Sequence, residues 1–397
     1  MRHTDIAIVG GGLAGSLAAA MLGRAGASVT LIDPHTVYPP DFRCEKLDRS
    51  QIRLLEKTGL ADVLFKAGTR DEEVWIARFG HLVEKRPNDQ CDLFYDTMVN
   101  TFRGAIPSEV QFVHGKVTAV STSPDRQKIT LADGEDISAR LVVLANGLNI
   151  ALRQSLGLER EIVSPCHSIS IGFNMEPVGR PGFDFRSLTY YPERTTDQMA
   201  YLTLFPIGET TRANLFVYRD MQDPWLKAMR DKPVQTLFAM LPGLKKLTGD
   251  FQVPDFVKIR PVDLYITTGY RKAGIVMVGD AFATSCPAGG TGANKVFTDV
   301  ERLCNVHIPR WLATPGMGED KIDAFYDDAV KVASDLHSST KAFYLRSLST
   351  QTGLRWSAKR WTKFIGQLGF GALRQARDLA GGRPARPGAA VGSGASP

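Results

Sequence analysis

The sequence predicts an α/β fold: a Rossmann-like nucleotide-binding domain with an inserted antiparallel β-sheet domain and a helical C-terminal region. Three observations carry this prediction. Residues 5–33 read as strand, glycine turn, helix and strand. Residues 165–270 alternate apolar and polar positions in short segments divided by turns. Residues 272–279 return to a buried strand that stops at Gly279 and Asp280.

The first strand is short and apolar (Ile6, Ala7, Ile8, Val9), and the turn after it carries Gly10, Gly12 and Gly15. The three glycines do different things. Gly10 permits the tight turn, Gly12 lets the backbone approach a pyrophosphate, and Gly15 lets the helix pack closely on the strand. The helix start at Leu13 and Ala14 offers free N–H groups and a positive dipole end. Asp33 closes the second strand, 18 residues beyond Gly15, and can accept hydrogen bonds from a ribose. A purely structural turn would share the three glycines. Here the flanking strand and helix, Ala19, Gly26 and the acid also fall in place for a dinucleotide, with FAD and NAD both left open.

Residues 46–60 read as a helix. Residues 128–131 and 137–145 form a hairpin across Asp133–Gly134, and its nearly all-apolar second strand, ending at Asn146–Gly147, suits a strand covered on both faces. Segments 187–191, 199–205 and 213–218 carry the alternation of the antiparallel sheet. Residues 319–380 are helical in pattern. The expected organisation is a nucleotide-binding domain with a helical insertion over 1–164, an antiparallel-sheet substrate domain over 165–270, the first domain resumed over 271–306, helices over 307–380, and a disordered Gly, Pro, Ala and Ser tail over 381–397. No internal repeat is present.

At 397 residues, with 43% hydrophobic and 23% charged residues, the chain has room for two or three domains and is no collagen, coiled coil or wholly disordered polypeptide. Its net charge of +6 is concentrated, since residues 341–397 hold ten Lys or Arg against the single Asp378. A uniformly basic nucleic-acid binder is thereby excluded. Five cysteines (Cys44, Cys91, Cys166, Cys286, Cys304) lack paired short spacing and read as reduced thiols, with neither a disulfide framework nor a metal site expected. No apolar run approaches the ~20 residues that span a bilayer, and the N-terminus reads as a strand rather than a signal peptide, so the expected location is the cytoplasm.

Two further segments complete the pattern. One is Ala145–Asn146–Gly147–Leu148–Asn149 with Leu152–Arg153–Gln154–Ser155–Leu156–Gly157. The other is Val278–Gly279–Asp280–Ala281 followed by Pro287–Ala288–Gly289–Gly290–Thr291–Gly292–Ala293–Asn294 and Asp299. With them, roughly residues 4–306 resemble the group A FAD-dependent aromatic monooxygenases, the hydroxylases related to p-hydroxybenzoate hydroxylase and to those of ubiquinone biosynthesis. The resemblance implies an FAD-binding domain of the glutathione-reductase type, with FAD as cofactor, NADPH or NADH as electron donor and O2 as co-substrate. It implies cofactor contacts from Gly10, Gly12, Leu13, Ala14, Gly15, Asp33, Arg43, Asn146, Gly147, Gly279, Asp280, Pro287, Gly289, Gly290, Thr291, Gly292, Ala293 and Asn294. Asn146 stands where the family usually has Asp, Thr284 where it usually has His, and Tyr95–Asp96 where many hydroxylases carry Arg. The implied chemistry is physically coherent: Asp280 can accept a ribityl hydroxyl, the glycine loop aims amides at the flavin edge that gains negative charge on reduction, and the Arg43 guanidinium suits a phosphate.

In the resembled family a C4a-hydroperoxyflavin hydroxylates an aromatic or polycyclic apolar small molecule. The protein adds a dry pocket and groups that hold or deprotonate a phenol-like substrate. Candidates are Tyr201 and Tyr218 on alternating segments, His167, the only histidine of the inserted region, and Arg260 before Pro261. Against these stands the rule that aromatic stripes on strands usually form core and a hydrogen-bonded histidine is usually structural. Three alternatives stay open: a flavin-dependent reductase or dehydrogenase of a polyprenyl or unsaturated substrate, a halogenase, and a non-catalytic FAD-binding scaffold. The halogenase segment Trp–x–Trp–x–Ile–Pro is missing, His307–Ile308–Pro309–Arg310–Trp311 not matching it. On a helix, Trp361, Phe364, Ile365, Leu368 and Ala372 share one face, with Lys359, Arg360, Lys363, Arg374 and Arg377 largely opposite. Such a cationic amphipathic helix packs on the protein or docks peripherally on an anionic membrane. The sequence carries no signal for oligomeric state.

Overall fold

A computed structural model describes residues 1–362 and Gly366. The tail over 381–397 and most of the expected amphipathic helix, from Lys363 onward, lie outside the described residues.

Strand Arg2–Val9 sits mid-sheet, and its Ile6, Ala7, Ile8 and Val9 are buried on both faces. It pairs in parallel with Val29–Asp33 on one side and with Asp136–Leu144 on the other. Gln111–His114 extends the sheet beyond Val29–Asp33, and Ile275–Met277 pairs in parallel with Val142 to Leu144. The early half of Asp136–Leu144 takes a different neighbour, the antiparallel Gln127–Leu131, which continues into Val117–Ser121. Helix Leu13–Arg24 is buried from Leu13 through Leu22, covering one face of this seven-stranded sheet. The return of the chain at Ile275–Met277, some 130 residues after Asp136–Leu144, is what the apolar run at 275–278 predicts.

The second sheet has nine strands. Its central members Glu159–Pro177, Met199–Ile207 and Thr210–Val217 are antiparallel and alternate strictly: Ile169, Ile171, Phe173, Ala213, Leu215, Leu202 and Leu204 enter a core, under helices Pro224–Asp231, Pro233–Met240 and Leu244–Thr248. The opposite face is free to line a site. This sheet also takes Lys46–Leu47, Thr69–Arg78 and His81–Asp92, with Ser187–Tyr190 running parallel to Thr69–Arg78. The expectation that residues 1–164 serve only the nucleotide-binding part is corrected on this point. The strand His81–Asp92 is almost wholly polar (HLVEKRPNDQCD), so neither alternation nor an apolar run announces it. The helix expected over 46–60 is shorter, Arg49–Glu56, because Asp48 and Gln51 form a capping box that starts it after the short strand.

Beyond the glycine loop come helices Gly292–Arg302, Ile308–Leu312, Glu319–Tyr326 and Ala329–Thr350. The last is capped by Asp328, whose side chain accepts from the Val330 and Lys331 N–H groups.

Candidate functional site

The site begins with the turn between Arg2–Val9 and the first helix. Gly10 has φ +101°, and a Cβ there would lie 2.6 Å from the Ala145 carbonyl oxygen. A Cβ on Gly15 would lie 1.8 Å from the Gly10 carbonyl oxygen, so both glycines serve close packing. Gly12 differs, because the nearest atom to its Cβ position is Tyr38 Cε2 at 3.9 Å, across open cavity. Among the described residues no side chain caps this helix, and its first turn holds no acid, which leaves its N–H groups for a ligand. Asp33 is buried: Oδ2 accepts from the Gly11 N–H at 2.6 Å, and Oδ1 from the His35 N–H at 2.8 Å. The Arg103 guanidinium lies 3.1 Å from Asp33 Oδ1 and donates to the carbonyls of Gly11 and Thr36. Sequence reading missed Arg103, since an Arg in the last turn of Tyr95–Gly104 looks like an ordinary helix-end cation.

In the middle of the site the loop after Val29–Asp33 crosses to the resumed part of the sheet. Arg43 bonds Asp41 at 2.6 Å and Asp280 at 2.8 Å, Arg260 bonds Asp41 at 3.0 Å and the Phe42 carbonyl at 2.8 Å, and the Tyr38 hydroxyl donates to Asp41 at 3.2 Å. Burial by itself would raise the Asp41 carboxyl, but Arg43 and Arg260 override it and hold the group below its usual range. Burial pushes the Tyr38 phenol up to about 12. The turn at Gly279 (φ +61°) is fixed by its N–H, which donates to Asp299 at 3.0 Å. Thr284 accepts from the Tyr265 N–H at 2.9 Å and donates to the Asp263 carbonyl at 2.7 Å, tying the strand Lys258–Thr268 to the flavin-type loop. Arg153, buried, joins the carbonyls of Gly147, Asn149 and Ala281, which locks the Asn146–Gly147 turn to the Gly279–Asp280 turn.

All of this surrounds one cavity of about 690 Å3. Gly10, Gly12, Leu13, Ala14, Asp33 and Arg43 line it, as do Asn146, Gly147, Gly279, Asp280, Pro287, Gly290, Gly292 and Ala293. Four expected contact residues do not: Gly15 is spent on helix–strand packing, Gly289 is buried with its N–H on the Cys286 carbonyl, Thr291 bonds Ser338, and Asn294 bonds Ser50. At the other end the cavity meets the free face of the second sheet, lined by Ser170, Tyr201, Thr203, Asn214 and Phe216, with Phe42, Glu45 and Lys46 beside them. Glu45 and Arg212 form a buried two-pronged ion pair, 2.8 and 3.1 Å. Tyr201 donates to the Ala288 carbonyl at 2.7 Å, linking this face to the glycine loop.

Of the four candidate catalytic residues, Tyr201 and Arg260 line the cavity. His167 and Tyr218 are corrected: both are buried behind its wall. The His167 ring nitrogens face Ser164 Oγ at 3.1 Å and the Ala342 carbonyl at 3.3 Å, and burial lowers its pKa, so it has no route to a substrate proton. Glu45, Ser170 and Asn214 were missed. Each is an ordinary residue in its local pattern, and only the register of two strands and the course of the loop before Lys46–Leu47 bring them together.

The residues fit a bound FAD on grounds of their own. A second helix start, at Thr291 and Gly292, lacks a side-chain cap among the described residues and opens on the same cavity as the first. The Asn146 Oδ1 atom there is buried without a partner among them. Two sets of backbone donors opening on one cavity, with the acids Asp33 and Asp280 also lining it, match a dinucleotide better than a smaller anion.

Comparison with known proteins agrees. The chain is 26% identical over 332 residues to 3-demethoxyubiquinol 3-hydroxylase of Escherichia coli, covering 77% of this chain and 80% of that one. It is 30% identical over 182 residues to a ubiquinone hydroxylase of Rhodospirillum rubrum, a match spanning 40% of each chain. The crystal structure of p-nitrophenol 4-monooxygenase from Pseudomonas putida superposes with a TM-score of 0.73 at 17% identity, over 94% of this chain and 95% of that one, which shows a shared fold. Residues 3–308 match the FAD binding domain family. With most of its length inside that match and a cavity built for the cofactor, the chain belongs to the FAD binding domain family, among the FAD-dependent aromatic monooxygenases, and is an FAD-dependent oxidoreductase.

Proposed function

We propose that this protein hydroxylates an aromatic or polycyclic apolar small molecule, using FAD, NADPH or NADH, and O2. The observation that carries the reading is one cavity that joins two glycine turns suited to a dinucleotide to an aromatic and polar sheet face suited to an organic ring. Bound FAD, reduced by the pyridine nucleotide, supplies the oxygen-activating chemistry. The chain's part is to hold and enclose. The N–H groups around Gly12–Ala14 and Gly290–Ala293 hold the cofactor's anionic and carbonyl edges, Asp33 and Asp280 accept its hydroxyls, and Arg43 reaches its phosphate or ribityl portion. Phe42, Tyr201 and Phe216 keep water from the ring-binding end.

Purified FAD-loaded protein given NADPH, labelled O2 and aromatic candidates will consume O2 and place the label in the product. Reduction of an unsaturated candidate with no O2 uptake would overturn this reading in favour of a reductase. Among the described residues no helix is long and apolar enough to cross a membrane. The basic segment after Thr350 is proposed to dock on an anionic membrane surface and collect an apolar substrate. Co-sedimentation with phosphatidylserine vesicles will then require that segment; equal binding by a chain ending at Thr350 would refute it.

A further inference from the structure

The free face of the second sheet carries two hydrogen-bonding atoms with nothing to bond. Ser170 pairs in register with Phe216, and Asn214 with Thr203 and Gly172, so Ser170 and Asn214 are diagonal neighbours about 7 Å apart on one face. Each residue is 5% exposed and lines the cavity. Ser170 Oγ and Asn214 Oδ1 are both buried without a hydrogen-bond partner among the described residues. A buried polar atom left unpaired costs about 1–3 kcal/mol, and two of them facing one space are the mark of a ligand group that completes them. The Asn214 side chain also helps to hold the Glu45 carboxylate, which leaves its carbonyl oxygen as the atom turned to the cavity. One site therefore wants a donor, and the serine hydroxyl beside it can give a hydrogen bond in return.

Charge narrows the class further. Arg212 is fully engaged by Glu45, with its remaining arm on Asn174 Oδ1 at 3.1 Å. Arg43 and Arg260 are engaged by Asp41 and Asp280. Lys46 shares a sheet face with its cross-strand partner Asp92, and burial disfavours its charged form. Arg212, Arg43 and Arg260 thus each already have an acid beside them. A carboxylate entering here would lose its water without gaining a free charge from these four cations, whereas a neutral hydroxyl loses far less.

We infer that Ser170 and Asn214 are the specificity-determining residues of this cavity, together reading one uncharged hydroxyl on the substrate and excluding a carboxylate at that position. Gly172 shapes the space: a Cβ there would lie 2.4 Å from the Phe42 ring, so glycine leaves the room that ring occupies. The inference rests on the proposed hydroxylase reading, deepening it from an apolar ring to a ring with a neutral donor.

The test uses full-length, FAD-loaded protein and three probes of one shape: 2-naphthol, 2-methoxynaphthalene and 2-naphthoate, each titrated by the change in flavin absorbance. 2-Naphthol will bind at least about tenfold more tightly than either of the others, the ratio expected for one completed buried hydrogen bond. In Asn214→Leu that preference will shrink to within about twofold while the ether binds as before, which shows the pocket still formed; Ser170→Ala will reduce it part of the way. Equal binding of the three probes, an Asn214→Leu loss shared equally by naphthol and ether, or no perturbation by any probe would each overturn the inference. Failure of the hydroxylase reading is seen separately, as absent O2 uptake with NADPH in the same preparation.

Discussion

The two sheets meet the same cavity by different chemistry. The parallel sheet presents backbone: glycine turns and helix starts whose N–H groups need no particular side chain, only the absence of one at Gly12 and close packing at Gly10 and Gly15. The antiparallel sheet presents side chains, Ser170, Thr203, Asn214 and the Glu45–Arg212 pair, gathered from four segments of the chain. A site made of backbone is bound to local sequence spacing. A site made of side chains is bound to strand register, and can change its ligand without changing its fold.

The largest effect should separate the two roles of glycine within the first sheet. Gly15→Ala drives a Cβ into the Gly10 carbonyl and should destabilise the protein by more than about 4 kcal/mol, leaving little soluble holoprotein. Gly12→Ala meets only open cavity, so its urea midpoint should stay close to that of the parent while its FAD content falls about tenfold or more. Equal stability of the two variants would dissolve the distinction.

Next comes the counterpart in the second sheet. Arg212→Met strands the Glu45 carboxylate at 2% exposure and should cost about 3–5 kcal/mol, with the double variant carrying Glu45→Gln as well recovering part of it. Denaturation midpoints of the parent and the two variants check this; no recovery in the double variant would mean that Arg212 acts through packing on Phe42 and Phe94 instead.

This contrast also explains what was legible beforehand. The dinucleotide turn, the resumed strand at 275–277 and the Gly279–Asp280 turn announce themselves because spacing and apolar runs are local. The strands at 69–92 were invisible, since their polar faces are satisfied by neighbours distant in sequence, such as Asn88 on Asp71 and Arg186 beside Asp71. His167 was legible as a histidine but not as a buried one. Arg103 reached Asp33 only through the tertiary fold.

That polar cluster yields a pH prediction. Burial pushes the Asp92 carboxyl up to about 8, against the Gln90 hydrogen bond and Lys46, which pull it down. The native state then keeps a proton that the unfolded chain has released above pH ~4. Stability from this residue is present below that point and is lost as pH rises towards about 8. Asp92→Asn mimics the protonated form, so its stability relative to the parent should improve between pH 5 and pH 8.5 by about 4 kcal/mol. A pH-independent difference would show that Asp92 is ionised throughout. Asp41 has the opposite sign: against its burial, Arg43 and Arg260 hold its carboxyl below the usual range, so its contribution is lost as pH falls.

The smallest effect probes whether the backbone site depends on residues outside the family match, which ends at 308. Asp328 caps Ala329–Thr350, pairs with Arg302 at 2.8 Å and faces His307 Nε2 at 3.0 Å. One turn later Lys331, fully buried, donates to Asp299 at 2.9 Å, and Asp299 in turn fixes the Gly279 N–H. Burial would raise the Asp328 carboxyl, yet Arg302, His307 and the Lys331 N–H hold it at about 2. Its contribution is thus present above the unfolded value near 4 and lost as pH falls through about 2. Asp328→Ala should cost about 2 kcal/mol, and Asp328→Ser, which keeps a cap but no ion pair, about 1 kcal/mol less than that. If the helix start sets Lys331, and Lys331 sets Asp299, FAD will dissociate faster from the alanine variant than from the serine variant. Equal FAD release from both, at unequal stability, would confine the cofactor's support to residues 3–308 and leave the last helix a cover on the core.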